Sequence, residues 1–385
     1  MTVTDKTDVQ KLAVQKDVDE IINFAQRFMK AGGGDMAGDE VNLDLQKKAF
    51  NLFQTLRGPV SSALSSFENV NEHPLLGSLR TLLAAGVFHV IPQGGPPMTA
   101  SVISSRTGMD KSVLIRLMRA VTPFGPFCET GEEEYAHTPY SEAYLTADIA
   151  SCFPVMSDLI FGLVLQICDF LRQHDWKNAI TTRSNPFTLA HKCPGRTMFE
   201  YLYKNPRHVA PVTKAEAADV DQMAMDLFSW EDRLSGVAKD HVTIVDIAGS
   251  HGNAMRQIRE IAPGQSAVSR FFLVEWPCYG RDGSCYYFRR IFHDWPDLPE
   301  AKKILQNTTV AMDRDQSRVL IHDIIVPETG ATMTHAWQDL SLMAIGGIES
   351  TEENFASILE SIGLVLVKVW RKLGDIIGIV EARLQ

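Results

Sequence analysis

The sequence predicts an α/β C-terminal half, a mostly parallel sheet covered by helices, joined to a mainly α N-terminal half. Three observations predict it. From His241 onward, short apolar runs alternate with amphipathic stretches, which is the strand–helix alternation of a parallel sheet. Before that point apolar residues recur mostly at helical spacing. The 385 residues are 45% hydrophobic and 22% charged, enough apolar side chain for more than one core.

Taken in order, residues 1–70 read as N-terminal helices. Val18, Ile21, Ile22, Phe24, Ala25 and Phe28 lie at roughly helical spacing, AGGGDMAGDE breaks the pattern, and a second helix is expected over Leu43–Leu56. Residues 71–150 form a compact unit. HPLLGSLRTLLAAG predicts a helix ending near Gly86. Two further helices are separated by a turn at Gly108, with Asp110 as N-cap. FCETGEEEYAHT predicts a hairpin with Gly131 at its tip. Helix, turn, helix and hairpin make a winged helix. Residues 151–235 are expected to be long bridging helices. They are rich in Met and aromatic residues, most of them core and a few available to hold a planar ligand.

Residues 236–385 carry the alternation. HVTIVDIAG is a strand ending in a glycine turn, and NAMRQIREIAP a helix stopped by Pro263. CYYFRRIF is a strand, LPEAKKILQNTTVAM a helix, RVLIHDIIV a strand and TEENFASILESIGL a helix. VKVWRKLGDIIGIVEARL is a terminal strand pair.

Composition excludes several partners. A net charge of −10 repels a phosphate backbone, and no basic stripe overrides it, so nucleic acid is not expected. No apolar run is expected to reach membrane-spanning length. The start, MTVTDKTDVQKL, is polar and of mixed charge, so no membrane partner and a cytoplasmic location are expected. The six cysteines, at 128, 152, 168, 193, 278 and 285, form no CxxC pair and have no His at zinc spacing. Reduced thiols and no metal are the expectation.

Three motifs carry chemistry. VDIAGSHG, residues 245–252, places a tight turn between the first strand and a helix N-terminus, where exposed N–H groups hold an anionic group. FRRIFHDWPD, residues 288–297, lies at the carboxyl edge of a strand, where open α/β sheets bind ligands; a histidine there suits general-base work. Asp323, in VLIHDIIVPETG, and Glu349, in GGIESTEENF, are acids that can orient the imidazole of His293. Each feature alone fits a plain turn, a locally bonded histidine or a helix cap. Their order is what carries weight.

That order, VDIAGSHG, YYFRRIFHDWPD, VLIHDIIVPETG and QDLSLMAIGGIESTEENF, resembles the S-adenosylmethionine-dependent O-methyltransferases of the caffeate/hydroxyindole type. The segment ending YAHTPYSEAYL looks like that family's N-terminal dimerisation domain. The resemblance implies a Rossmann-like methyltransferase domain behind a winged-helix dimerisation domain. It implies S-adenosyl-L-methionine as cofactor, a small-molecule substrate and a homodimer. His293 matches the family's base, and Asp323 and Glu349 its helper acids. Asp246, Gly249, Gly252, Glu275, Arg289 and Asp294 are the implied cofactor-contacting set. Met343 matches a methionine flanking the acceptor, and Met198 and His137 join it as substrate-side candidates.

One departure stands out. Between Pro263 and His293 the chain is short by one strand-and-helix unit relative to the family. Glu275 then matches the adenine-side acid, or alternatively the ribose acid, with the stretch between it and His293 shortened. Two other readings stand beside methyl transfer. The first is a cofactor-binding pericyclase or dehydratase on the same scaffold, with His137, Arg289 or Arg290 donating to a substrate carbonyl. The second is a DNA-binding regulator using the winged helix, whose second helix offers only Lys111, Arg116 and Arg119.

Overall fold

The computed structural model describes residues 3–31, 45–53, 56, 72–205, 227–230, 244–249, 252–261, 267–270, 285–295, 298–372 and 375–385. It divides into two compact units, Met1–Leu82 with Ser112–Phe124, and Leu83–Lys111 with Gly125–Gln385.

The first unit is helical. Its N-terminal helix runs Val3–Ala31, longer than the sequence pattern suggested, and residues 45–53 are helical as expected. The ion pair between Lys48 and Glu20 joins these two stretches. The Gly-rich break itself lies outside the described residues. Most of the strongly amphipathic helix Lys111–Val121 belongs to this unit, and it buries Leu114, Ile115, Met118 and Val121 on one face. Leu114, Ile115 and Met118 recur at helical spacing, so one apolar stripe faces inward.

The second unit begins with the elements that flank that helix. Helix Ala100–Thr107 ends on Gly108 in the left-handed region (φ 74°), the turn read from the sequence. Strands β1 (Met98–Thr99), β2 (Phe127–Gly131) and β3 (Glu134–His137) form an antiparallel sheet in the order β1-β3-β2, with a register shift between Glu129 and Gly131 near the hairpin tip.

Two expectations fail in the region after residue 147. The long bridging helices are absent among the described residues. Helix Ala147–Val155 contains Pro154, and the backbone then passes through a π-helical turn (Met156–Ile160) and a 3-10 stretch (Phe161–Gln166) before helix Ile167–Gln173. Short helices follow at Pro186–Ala190 and Met198–Lys204. The second failure concerns length. Phe153–Gln173, 21 residues containing an 18-residue window of mean hydropathy 1.6, is long and apolar enough to cross a bilayer by length and composition. Asp158, Asp169 and Arg172 punctuate it, which is why no uninterrupted apolar run was visible. Its residues Leu159, Ile160 and Leu163 pack with Phe187, Leu202 and Ala344, so one face serves as core and the segment by itself is weak evidence for a membrane.

The α/β part holds a mixed seven-stranded sheet. Its main path runs β5-β4-β6-β7-β10-β9, for β5 Ala267–Arg270, β4 Ile244–Ile247, β6 Cys285–Arg289, β7 Arg318–Val326, β10 Ile377–Leu384 and β9 Leu364–Trp370. A short strand, β8 (Ser350–Thr351), pairs parallel with the end of β7. The pairs β5·β4, β4·β6 and β6·β7 are parallel, while β10 is antiparallel to both β7 and β9. Every described residue of β4 is buried, as are four of the five in β6, because both faces of the sheet are covered. One face packs Val245, Tyr286, Phe288 and Ile321 with helix residues Ile304, Leu305, Phe355 and Leu359; the other packs Ile244, Tyr287 and Leu320 with Met255, Ile258 and Trp230. Among the described residues, β5 is the only element between helix Asn253–Ile261 and β6, in line with the short count after Pro263.

Candidate active site

Strand order reverses around β4, so the carboxyl ends of β4 and β6 flank a crevice of the kind where α/β sheets hold ligands. Both ends are strained. Ala248, just after β4, has φ 58°, and Arg290, just after β6, has φ 56°. A non-glycine residue in the left-handed region costs about 1–2 kcal/mol and clusters where function holds it.

The turn after β4 fits an anionic ligand group. Gly252 (φ 73°) donates to the carbonyl of Gly249 at 2.7 Å, closing the turn ahead of helix Asn253–Ile261. Asp246 is fully buried, and a side chain on Gly249 would overlap its carboxylate. The bare backbone at 249 thus lets the buried carboxylate of Asp246 pack directly against the turn. His251 and Glu275 lie outside the described residues. Arg289 ends β6, paired in register with His322.

His293 sits in the 3-10 turn Phe292–Asp294 immediately beyond β6. Its Nδ1 lies 3.4 Å from Glu349 Oε1 and 3.5 Å from Asp323 Oδ1; its Nε2 lies 3.7 Å from Asp294 Oδ2. Asp323 comes from the middle of β7 rather than its end, and Glu349 from the segment leading into β8. Arg290 approaches the same Glu349 oxygen at 3.9 Å. Asp323 and Glu349 are buried, and only a small part of the imidazole is exposed. Burial is the largest single influence on His293 and lowers its pKa. The fields of Asp323 and Asp294, with the hydrogen bond His293 donates to Glu349, together outweigh it and raise the value to about 9. Burial pushes the carboxyls of Asp294, Asp323 and Glu349 up, against the opposing pull of His293 and Arg290. Among the described residues, His293, Asp323 and Glu349 offer ligand atoms within 4.8 Å of one another, spacing a cation could use. Two buried acids on one nitrogen also suit the alternative task of fixing a tautomer and holding a proton.

A loop of two glycines holds this cluster in place. Ile348 donates to the carbonyl of His293 at 2.9 Å, and Glu349 N–H donates to Asp339 at 2.9 Å. Gly346 (φ 93°) has no room for a side chain against the Thr181 carbonyl, and a Cβ on Gly347 would stand 2.5 Å from the His293 carbonyl. On its other side the loop is stapled by Asn185. This buried side chain donates to Thr181 O (2.9 Å), Thr182 O (3.2 Å) and Ile345 O (3.0 Å), while its oxygen caps helix Pro186–Ala190 through Thr188 N–H. Gly347→Ala should therefore overpack the His293 carbonyl, destabilise the fold by about 1–3 kcal/mol and lower turnover. Thermal melts and initial rates both unchanged would contradict this account. Asn185→Ala should cost about 2–4 kcal/mol, since three buried carbonyls and a cap lose their partner; denaturant titration gives the number.

Against these elements lies a small depression, with enclosed room for about one water, walled by Thr182, Thr197, Met198, Phe199, Asp294, Trp295, Ile345 and Gly347. Of the three residues expected on the substrate side, only Met198 is on its walls. Met343 is half-buried at the end of helix Met333–Met343, just before the glycine loop. His137 spends both ring nitrogens inside the wing region: Nδ1 on Ser141 Oγ at 2.8 Å, Nε2 on the carbonyls of Phe88 and Ile91 at 3.0 and 3.2 Å. That removes the expected role of hydrogen-bond donor to a substrate carbonyl. Sequence reasoning missed Thr182, Asn185, Thr197, Phe199 and Trp295 as site residues.

With this geometry in view, comparison with known proteins is decisive. A relative, O-methyltransferase desB of Aspergillus desertorum, is 32% identical over 382 residues, covering 91% of this chain and 90% of desB. The chain belongs to the O-methyltransferases. The family model for the O-methyltransferase dimerisation domain matches residues 75–147, and that for the O-methyltransferase domain matches residues 281–365. The crystal structure of OxaC is 62% identical, with a TM-score of 0.86, covering 98% of this chain and 100% of that one. OxaC has also been solved with sinefungin and meleagrin, and with SAH and oxaline. LepI in complex with SAM superposes with a TM-score of 0.80 at 18% identity, a likeness that shows the fold alone. The enzyme is thus an O-methyltransferase of secondary metabolism, with S-adenosylmethionine as its methyl donor.

Proposed function

We propose that this O-methyltransferase methylates a hydroxyl of a small aromatic or polyketide-like metabolite, with His293 as general base. One observation carries the reading: an imidazole at the carboxyl edge of β6 has two buried acids, Asp323 and Glu349, on Nδ1 and turns Nε2 toward Asp294 on the pocket wall. S-adenosylmethionine supplies an electrophilic methyl group on a positive sulfur. The residues of this chain do the rest. Asp246 and the turn at Gly249 and Gly252 would hold the donor's methionine end, where exposed N–H groups suit a carboxylate. Arg289 and Asp294 border the same crevice. Glu275 follows β5, the strand beside β4, which favours the ribose-side alternative for that acid. Asp323 and Glu349 keep Nε2 aimed at the acceptor and stabilise the imidazolium formed when the hydroxyl proton arrives. Holding oxygen and methyl in line supplies much of the acceleration.

The test is direct. Purified protein is incubated with methyl-labelled donor and a panel of acceptors that begins with meleagrin, the compound solved with OxaC, and adds simple phenols. Label should move to an acceptor oxygen, and the transfer should vanish in His293→Ala. Turnover of an acceptor with no gain of a methyl group would replace this reading with ring-forming chemistry. A cytoplasmic homodimer is part of the same proposal. The match to a dimerisation domain supports the dimer, and sedimentation of the purified enzyme and cell fractionation check the two parts.

A further inference from the structure

The contacts around Nδ1 of His293 are long. A charge-assisted N–H···O bond at its best spans about 2.7–2.9 Å, yet Nδ1 stands 3.4 Å from Glu349 Oε1 and 3.5 Å from Asp323 Oδ1. Those lengths match a different arrangement. Bonds of about 2.0–2.2 Å to a tetrahedral cation of the zinc type set neighbouring ligand atoms roughly 3.3–3.5 Å apart. The three side chains come from separate elements, the turn after β6, the strand β7 and the segment before β8, and their ligand atoms all lie within 4.8 Å of one another. One imidazole and two carboxylates are also the nitrogen and oxygen donors that zinc takes. A second, independent feature points into the same gap. Asp323 and Glu349 are only 1% and 5% exposed, and Asp323 Oδ1 and Oδ2 and Glu349 Oε2 accept no well-formed hydrogen bond; the His293 main-chain N–H gives Asp323 only a loose contact. Buried carboxylate oxygens without a donor are costly, and a cation between them removes that cost. Arg290, at 3.9 Å from Glu349 Oε1, sets one positive charge against the two negative ones, so the acids still favour a cation.

We propose that Nδ1 of His293, Asp323 and Glu349 form an inhibitory site for a divalent cation of the zinc class, with a water as the remaining ligand. Binding puts the metal where the Nδ1 proton sits. Starting from the imidazolium, Nδ1 gives its proton to solvent and its lone pair to the metal, while the hydrogen on Nε2 stays. Nε2 is then a donor and no longer accepts a hydroxyl proton, so the base is blocked although the methyl donor remains bound. The same two acids thus serve two states of one ring: they orient it when Nδ1 carries a proton, and they silence it when Nδ1 carries a metal. The inhibition rests on the general-base reading of His293, whereas the binding of the cation does not.

The probes are zinc and cobalt(II) ions, titrated at one fixed pH into the full-length enzyme after it has been stripped with EDTA and desalted, with SAH present. Zinc is followed by calorimetry and cobalt by visible absorption. The wild type should take up one zinc per chain at micromolar concentration. Asp323→Asn and Glu349→Gln, near-isosteric changes whose folds are checked by melting, should each weaken that zinc by more than about tenfold. Cobalt should show the bands of a four-coordinate nitrogen and oxygen site without thiolate charge transfer, which separates this site from the cysteines, of which Cys168 is exposed. Saturating zinc should abolish methyl transfer, EDTA should restore it, and SAH affinity should stay the same. No zinc bound in the micromolar range, equal zinc affinity in the wild type and both variants, or cobalt held by thiolate alone would overturn the site. Zinc bound with the stated losses while methyl transfer continues would leave the cation site standing and sink His293 as the general base instead.

Discussion

Replacing His293 with alanine should lower kcat for methyl transfer by about 10²–10⁴-fold, the usual worth of a positioned general base, while calorimetry with SAH shows donor affinity nearly unchanged. The split comes from geometry. The imidazole belongs to a cluster with Asp323, Glu349 and Asp294 beyond β6, whereas Asp246, Gly249 and Gly252, the residues proposed above to hold the donor, lie in and after neighbouring β4. Removing the ring takes away the proton's destination and deprives buried Asp323 and Glu349 and partly exposed Asp294 of the imidazole that pulls their carboxyls down, so these should rise further. A fall in kcat with little change in KM marks an interaction made mainly in the transition state. Asp323→Asn should give a smaller loss, about 10- to 100-fold, because Glu349 still contacts Nδ1. A His293→Ala enzyme that keeps more than about a tenth of its kcat would remove the general base from the mechanism.

How much of the fold and site is legible in the sequence depends on how local each feature is. Strands β4, β6 and β7 announce themselves through mostly apolar runs, because a strand covered on both faces is apolar at nearly every position, whereas the edge strand β9 exposes Val367 and Lys368. Gly108 marks a turn through its left-handed φ, whereas the hairpin turns at Glu132 and Glu133, just beyond Gly131, the last residue of β2. His293 and Asp323 are legible because the first follows and the second lies in such a strand, and the parallel pairing of β6 with β7 forces them together; Glu349, just before β8, is legible only through the order of the motifs. Phe199 and Trp295 are different. Ninety-six positions apart, they meet only through tertiary packing, and a single aromatic in a Met- and Phe-rich stretch carries no sign of whether it faces core or ligand. Asn185 does leave a local trace. Asn-Pro-Phe-Thr is an N-cap with proline at the first helical position and Thr188 closing a capping box, yet its longest-range bond, to Ile345, has no sequence signature. The broken helices after Ala147 escape a reading of apolar spacing, which does not separate α from π or 3-10 turns; Pro154 is the one warning.

The pH profile offers the second large effect. With its pKa near 9, His293 is about 99% protonated at pH 7, and only the neutral ring accepts a proton. Its neutral fraction, and so kcat/KM, should rise roughly tenfold per pH unit from 7, gain about 50-fold by pH 9 and level off above that at about 100-fold. An acceptor phenol titrates in a similar range, so Asp323→Asn is the discriminating variant. Losing that carboxylate removes one of the fields that raise the imidazole, and the midpoint should move to lower pH, whereas a midpoint set by the acceptor would stay put. Stability must follow the same protons. The folded pKa of His293 lies above its ordinary 6.5, so its contribution is complete below that value and disappears as pH rises through 9. On the account of His293 the melting temperature should fall as pH climbs from 6.5 to 9.5, less steeply in His293→Ala. A melting temperature that climbed over that window would mean that the imidazole is neutral in the resting enzyme. The rate would then show no alkaline rise of its own, so melting and kinetics must stand or fall together.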